Sequence, residues 1–155
     1  MIVVECDPDE FLMKSMGFSR KKIKHESGKG DVLRIVRKNQ KVIGIIDEDP
    51  DSTQPLEIKK FKEQETMQTV KLLVRKDDPE KKLIQISPYL EHWLINRASK
   101  NKILPNDFGL PDDPKEMHDI VHIERYKNFQ SFLKKLIQED NEIKMLKKWI
   151  NEAIG

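Results

Sequence analysis

Three acids stand where chemistry is easiest to build. Glu5 follows the apolar run Ile2-Val3-Val4, and Asp47 and Asp49 follow Val42-Ile43-Gly44-Ile45-Ile46, with Glu48 between them. Short β-branched runs bounded by turn residues read as buried strands. In an open α/β sheet a site forms off the carboxyl ends of the strands, where the chain order reverses. Two acidic strand exits can therefore converge on one spot. Carboxylates brought together repel unless a proton or a cation lies between them. A hard divalent ion, Mg²⁺ or Mn²⁺, suits them because it prefers carboxylate oxygen and keeps water for substrate. Such an ion polarises a phosphorus–oxygen bond or lowers the pKa of a bound water. Side chains alternate along an extended chain, so Glu48 is expected to point away from its two neighbours. The competing explanation is ordinary turn acids and helix caps, in a chain holding 27 acids.

Gly28-Lys29-Gly30 is the second feature with chemical potential. Placed before a helix, it can hold a phosphate through backbone N–H groups and the Lys29 charge. It is not a Walker motif, and taken alone a permissive turn with a solvated lysine explains it somewhat better. Arg20, Lys21, Lys22 and Lys24 add a basic cluster nearby. Other metal patterns fail on detail. Asp47, Asp49 and Asp51 start like a calcium loop, but Ser52 stands where glycine is required and Ile58 where glutamate is. Cys6 is the only cysteine, and His118 and His122 lack an HExxH context, so a zinc site is not expected. Trp93 and Trp149 fall on apolar helical stripes and read as core.

These residues need a frame. Residues 2–5 read as the first strand, and Asp7-Pro8-Asp9-Glu10 as a helix start with Asp7 as cap, ending near Gly17. Residues 23–25 form a weak polar strand. Asp31 caps a second helix running to about Asn39, and residues 41–47 form the most apolar strand. This β-α-β-α-β order predicts a parallel sheet with right-handed crossovers. A short helix is expected around residues 55–64. Strands follow at 70–74 and 83–86, joined by the turn Lys76-Asp77-Asp78-Pro79-Glu80. Ser87-Pro88 opens a helix, and Asp113-Pro114 opens another. The stripes Tyr126, Phe129, Leu133, Leu136, Ile137 and Ile143, Leu146, Ile150, Ile154 predict helices over 126–138 and 142–154. The expected organisation is an α/β domain over residues 1–100 and a helical C-terminal extension over 101–155 packed on it.

Composition bounds the function. Charged residues make up 36% and apolar residues 37% of 155, which describes a globular chain with a charged surface. A net charge of +2 gives no global argument for nucleic acid. One cysteine allows no internal disulfide, which fits a reducing, cytoplasmic setting. Neither a signal peptide nor a membrane span is expected.

Taken together, Ile2-Val3-Val4-Glu5-Cys6-Asp7-Pro8-Asp9-Glu10, Gly28-Lys29-Gly30 and Ile45-Ile46-Asp47-Glu48-Asp49 resemble a TOPRIM domain, in the compact form of small ribonucleases and OLD-family nucleases. The resemblance covers about residues 1–95. It implies a Rossmann-like, mainly parallel sheet with a glutamate after the first strand and an Asp-x-Asp pair after the third. By position these are Glu5, Asp47 and Asp49. It further implies that these acids bind Mg²⁺ and support phosphodiester breakage or joining in RNA or DNA, with Glu5 as general acid or base and Lys29 on phosphate. Cys6 departs from the glycine usual after that glutamate. The same opening also resembles a response-regulator receiver, with Asp47 as phosphoacceptor. That alternative lacks the Ser or Thr and the Lys-Pro its fourth and fifth strands require: Val74-Arg75-Lys76 and Ile86-Ser87-Pro88 stand there. A third reading is an interaction module that binds a protein partner through the C-terminal helices, its acids being structural.

Overall fold

The apolar runs become strands because both of their faces are covered. In the computed structural model, which describes residues 1–155, the strands are β1 (Ile2–Val4), β2 (Ile23–His25), β3 (Ile43–Asp47), β4 (Phe61–Thr66), β5 (Val70–Arg75) and β6 (Lys82–Ile86). The helices are α1 (Asp7–Ser15), α2 (Lys29–Lys38), α3 (Leu90–Lys100), α4 (Pro114–His118), α5 (Lys127–Glu139) and α6 (Asn141–Ile154). The six strands form one sheet in the order β2-β1-β3-β6-β5-β4. β2, β1, β3 and β6 run parallel, and β5 and β4 are added antiparallel. The molecule is an α/β fold on a mixed, mostly parallel sheet.

Period-two alternation sorts the side chains between two layers. Ile2, Val4, Ile43, Ile45, Ile84 and Ile86 face a large cluster of 28 buried residues, which takes in α1, α3, α5 and α6. Val3, Ile46, Leu73 and Leu83 face the opposite side, where Val32, Leu33, Ile35 and Val36 of α2 cover them. The amphipathic stripes of α5 and α6 are thus spent inside: Phe129, Phe132, Leu133, Leu146, Trp149 and Ile150 are all buried in the core shared with the sheet. Trp93 is fully buried and its Nε1 donates to Glu142 Oε2 at 3.0 Å. Asp140, also fully buried, caps α6 at the Ile143 N–H and accepts from Arg97 Nε at 2.9 Å and Asn101 Nδ2 at 2.8 Å. Gly44 lets α2 lie close on β3, because a Cβ there would sit 2.7 Å from both Leu83 Cδ2 and Val32 Cγ1. No helix is long and apolar enough to cross a membrane.

Several expectations are corrected. Residues 55–64 do not form a helix: a short 3₁₀ turn at Leu56–Lys60 leads into β4. Only Phe61 of β4 is buried, and its ladder with β5 slips between Glu63 and Glu65. An edge strand held by backbone bonds needs little apolar patterning, so its sequence hides it. The 70–74 strand extends to Arg75, and the six residues 76–81 close it into an antiparallel hairpin with β6. α1 begins at Asp7 itself, with Cys6 as N-cap, so Asp7 is not the cap. α2 starts at Lys29 with Gly28 as N-cap, and Asp31 lies in the first turn, accepting from Ser27 Oγ. α3 starts at Leu90 instead of Pro88, and Ser87 Oγ donates to Glu48. Asp113 does cap α4, accepting from the Lys115 N–H at 2.7 Å.

Candidate functional site

The chain reverses at β1 and β3. From β1 it runs out through α1 to β2, then crosses back over the opposite face through α2 to β3. The carboxyl ends of β1 and β3 therefore open a crevice between oppositely placed helices. Register sets Val4 beside Ile45, which brings Glu5 level with the end of β3. Glu5 Oε1 accepts the Asp47 backbone N–H at 2.7 Å. The two residues, separated by 42 positions, meet directly.

Glu5, Asp47 and Asp49 line an open cavity of about 470 Å³ together with Ser27, Gly28, Glu91 and His118, and with Ile120 and Ile123 on the far wall. A neighbouring groove of about 370 Å³ shares Asp49, Ser52 and His118 and lengthens the depression. Asp47 is only 9% exposed, and its Oδ1 has no hydrogen-bond partner.

Two acids that sequence reasoning did not assign complete the group. Asp9, in the first turn of α1, is fully buried and neither of its oxygens has a hydrogen-bond partner. Glu91, in the first turn of α3, is 5% exposed, and its Oε2 lies 3.0 Å from His118 Nδ1. Both follow strand exits, as Glu5 and Asp47 do, and that position was the available signal. It is masked because an acid in a first helical turn already has a reason to be there, the helix dipole.

The electrostatics follow from this crowding. Burial, then the charges of Asp9 and Glu5, push the Asp47 carboxyl well above the usual aspartate range. Burial likewise raises Asp9, and the neighbouring Cys6 thiol offsets this only in part. Glu5 is raised by burial too, against the opposing pull of the Asp47 N–H and Lys29. Cys6 is pushed far up by burial and by Asp9, so its thiol stays protonated and is no nucleophile.

Lys29 is the one lysine drawn into this region. Its side chain is 11% exposed, and Nζ donates to Glu48 O at 3.0 Å and Gln54 Oε1 at 3.1 Å, with Asp49 Oδ2 3.7 Å away. Gln54 Nε2 in turn donates to Glu48 O and Asp49 O, at 2.7 and 2.9 Å. The loop after β3 is clamped by these bonds, and Asp49 sits at φ +48°, which breaks the expected alternation. Glu48 nevertheless turns elsewhere, to Ser87. Of the Gly28-Lys29-Gly30 turn, Gly28 borders the acidic cavity, Lys29 folds inward, and Gly30 lines a separate small pocket with Leu33 and Pro55. Arg20–Lys22 precede β2, at the amino ends of the strands and away from the cavity.

The tightest ligand groups, with all donor atoms within 4.8 Å, are Asp7–His122–Glu124 and Asp7–Glu10–His25. The cavity acids are spread more widely than that. The orphaned Asp47 oxygen leaves an acceptor open to a cation or a proton at this spot. No family model, curated protein or solved structure matches this chain.

Proposed function

We propose that the chain is a TOPRIM-like protein with a Rossmann-type arrangement, acting on nucleic-acid phosphodiesters as a Mg²⁺-dependent nuclease. One observation carries the reading: Glu5 and Asp47 meet at the reversal of chain order, with an unpartnered Asp47 oxygen at a cavity backed by further buried acids. Glu5, Asp47 and Asp49 would hold the ion, Mg²⁺ or Mn²⁺. When bound, that ion neutralises charge on a phosphate and lowers the pKa of a coordinated water. Asp9 and Glu91 stand behind it as further buried carboxyls, and the Lys29 clamp keeps Asp49 in place. Glu5, its proton affinity raised by burial, is suited to hold or pass a proton at a phosphodiester oxygen. α2 starts at the cavity border, at Gly28, and a helix start of this kind suits a phosphate oxygen. The cavity and the neighbouring groove, which share Asp49, Ser52 and His118, would be the place for the RNA or DNA backbone. The single cysteine, which allows no internal disulfide, agrees with a reducing, cytoplasmic setting.

Incubation of labelled RNA and DNA, single- and double-stranded, with Mg²⁺ or Mn²⁺ tests the proposal. Cleavage by the wild type and its loss in Asp47→Ala is the expected result; equal cleavage by both proteins overturns it. The receiver alternative is the weaker one. Its doubly wound sheet continues in parallel order beyond the third strand, whereas β5 and β4 are antiparallel. It predicts a labile phosphoryl adduct on Asp47 after treatment with a small phosphodonor.

A further inference from the structure

Beside the acidic cavity, at the first residue of α1, a second group of side chains meets. The Asp7 carboxylate divides between two histidines: Oδ1 lies 3.2 Å from His25 Nδ1, and Oδ2 lies 4.0 Å from His122 Nδ1. Glu124 Oε1 lies 3.4 Å from the same His122 nitrogen. The second oxygen of Glu124 is buried without a partner. Donor atoms of Asp7, His122 and Glu124 all lie within 4.8 Å of one another.

These separations have the scale of a coordination sphere. Bonds of about 2.1 Å to nitrogen and oxygen place tetrahedral ligands about 3.4 Å apart. The His122–Glu124 edge already has that length, and the Asp7–His122 edge needs to close by about 0.6 Å to reach it. Asp7 and His122 are both about half exposed and free to make that rotation. Two carboxylates and a neutral imidazole supply a charge of −2, which matches a divalent ion. The mixture of imidazole and carboxylate favours zinc and its neighbours over Mg²⁺ or Ca²⁺, which prefer all-oxygen shells. His25 and Glu10 occupy the other side of the Asp7 carboxylate. His25 Nδ1, 3.2 Å from Asp7 Oδ1, is close enough to serve as an outer partner of that ligand.

We propose that Asp7, His122 and Glu124 bind a divalent transition-metal ion of the zinc type. The ion staples the connection before α5 to the start of α1. That connection also carries Ile120 and Ile123, the far wall of the acidic cavity. Metal at the triad therefore fixes a wall of the neighbouring site without entering it.

The test uses the full chain stripped with chelator. Zinc is titrated by calorimetry, and cobalt(II) by its visible absorption, into wild type, His122→Ala, Glu124→Gln, His118→Ala and Asp47→Asn. One zinc per chain is expected, with Kd raised more than about tenfold in His122→Ala and Glu124→Gln and unchanged in the other two. Imidazole ¹⁵N spectra of the wild type should show zinc shifting the His122 Nδ1 resonance, a readout that survives if a variant fails to fold. Equal zinc binding by wild type and His122→Ala, or no binding at millimolar zinc, overturns the proposal and leaves a polar contact of His122 with two acids. Loss of zinc in Asp47→Asn instead would assign the metal to the acidic cavity.

Discussion

Asp47→Asn separates the cost of the acidic cluster from its use. Without divalent ions, Asp47 is buried, one of its oxygens is unpartnered, and Asp9, Glu5 and Glu91 raise its proton affinity. A carboxyl raised in the folded state ties stability to pH with a definite sign. Below the unfolded pKa, about 3.9, both states hold the proton and the group exacts nothing. As pH rises past that point the unfolded chain releases its proton first, and the folded state loses about 1.4 kcal/mol per unit until its own pKa is passed. At pH 7 the loss reaches about 4 kcal/mol if the folded pKa lies above neutrality. Asparagine escapes this loss and offers an N–H₂ to the neighbouring carboxylates. In chelator at pH 7 the variant should be more stable by about 2 to 4 kcal/mol, allowing for imperfect replacement of the hydrogen bonds. For a chain of this size each kcal/mol moves Tm by about 2 to 4 °C. Mg²⁺ at 100 times its Kd should restore about 2.7 kcal/mol to the wild type and little to the variant. Thermal melts followed by circular dichroism at pH 5 and pH 8, with chelator and with Mg²⁺, measure all of this. A variant less stable than wild type in chelator at pH 8, or an advantage that fails to shrink toward pH 5, would refute the reasoning.

Gly44→Ala places a Cβ against Leu83 and Val32 at 2.7 Å, within the layer between α2 and the sheet. Denaturant melts should show a loss of about 1 to 3 kcal/mol from overpacking. Asp140→Ala removes the nearer of two acidic partners of the partly buried Arg97, leaving Glu142 at 3.4 Å, together with the cap of α6. Urea unfolding should report a loss of about 2 to 4 kcal/mol. Lys29→Ala deletes the clamp on the loop after β3, so hydrogen exchange at Glu48 and Asp49 should quicken while exchange in α5 and α6 stays at the wild-type rate.

Legibility in the sequence followed burial. β1 and β3 are covered on both faces, so their residues form continuous apolar runs that no other element imitates. α5 and α6 press one face into the core, which leaves a helical stripe, and both appear within a residue or so of their expected bounds. Glu5 and Asp47 were visible because they follow such strands directly, and the structure brings them together. β4 was not visible: one buried residue in six gives no period, and the strand exists because β5 offers it a backbone ladder. The inward turn of Lys29 was hidden too, since a lysine between glycines carries no sign of the Gln54 and Glu48 acceptors that receive it. Strand direction after β3 depended on a turn closing as a hairpin, which local composition permits but does not impose.

The outer border of the sheet has its own consequence. A bare strand edge invites recruitment of another chain and, with it, fibril growth. Here Lys62, Glu63 and Glu65 stand along that border, and a slip in the ladder kinks it. An incoming strand would have to strip water from charges and match an uneven row of amides, with no apolar surface in return. The border thus carries its own guard against templated aggregation in these charges, without a proline in the strand.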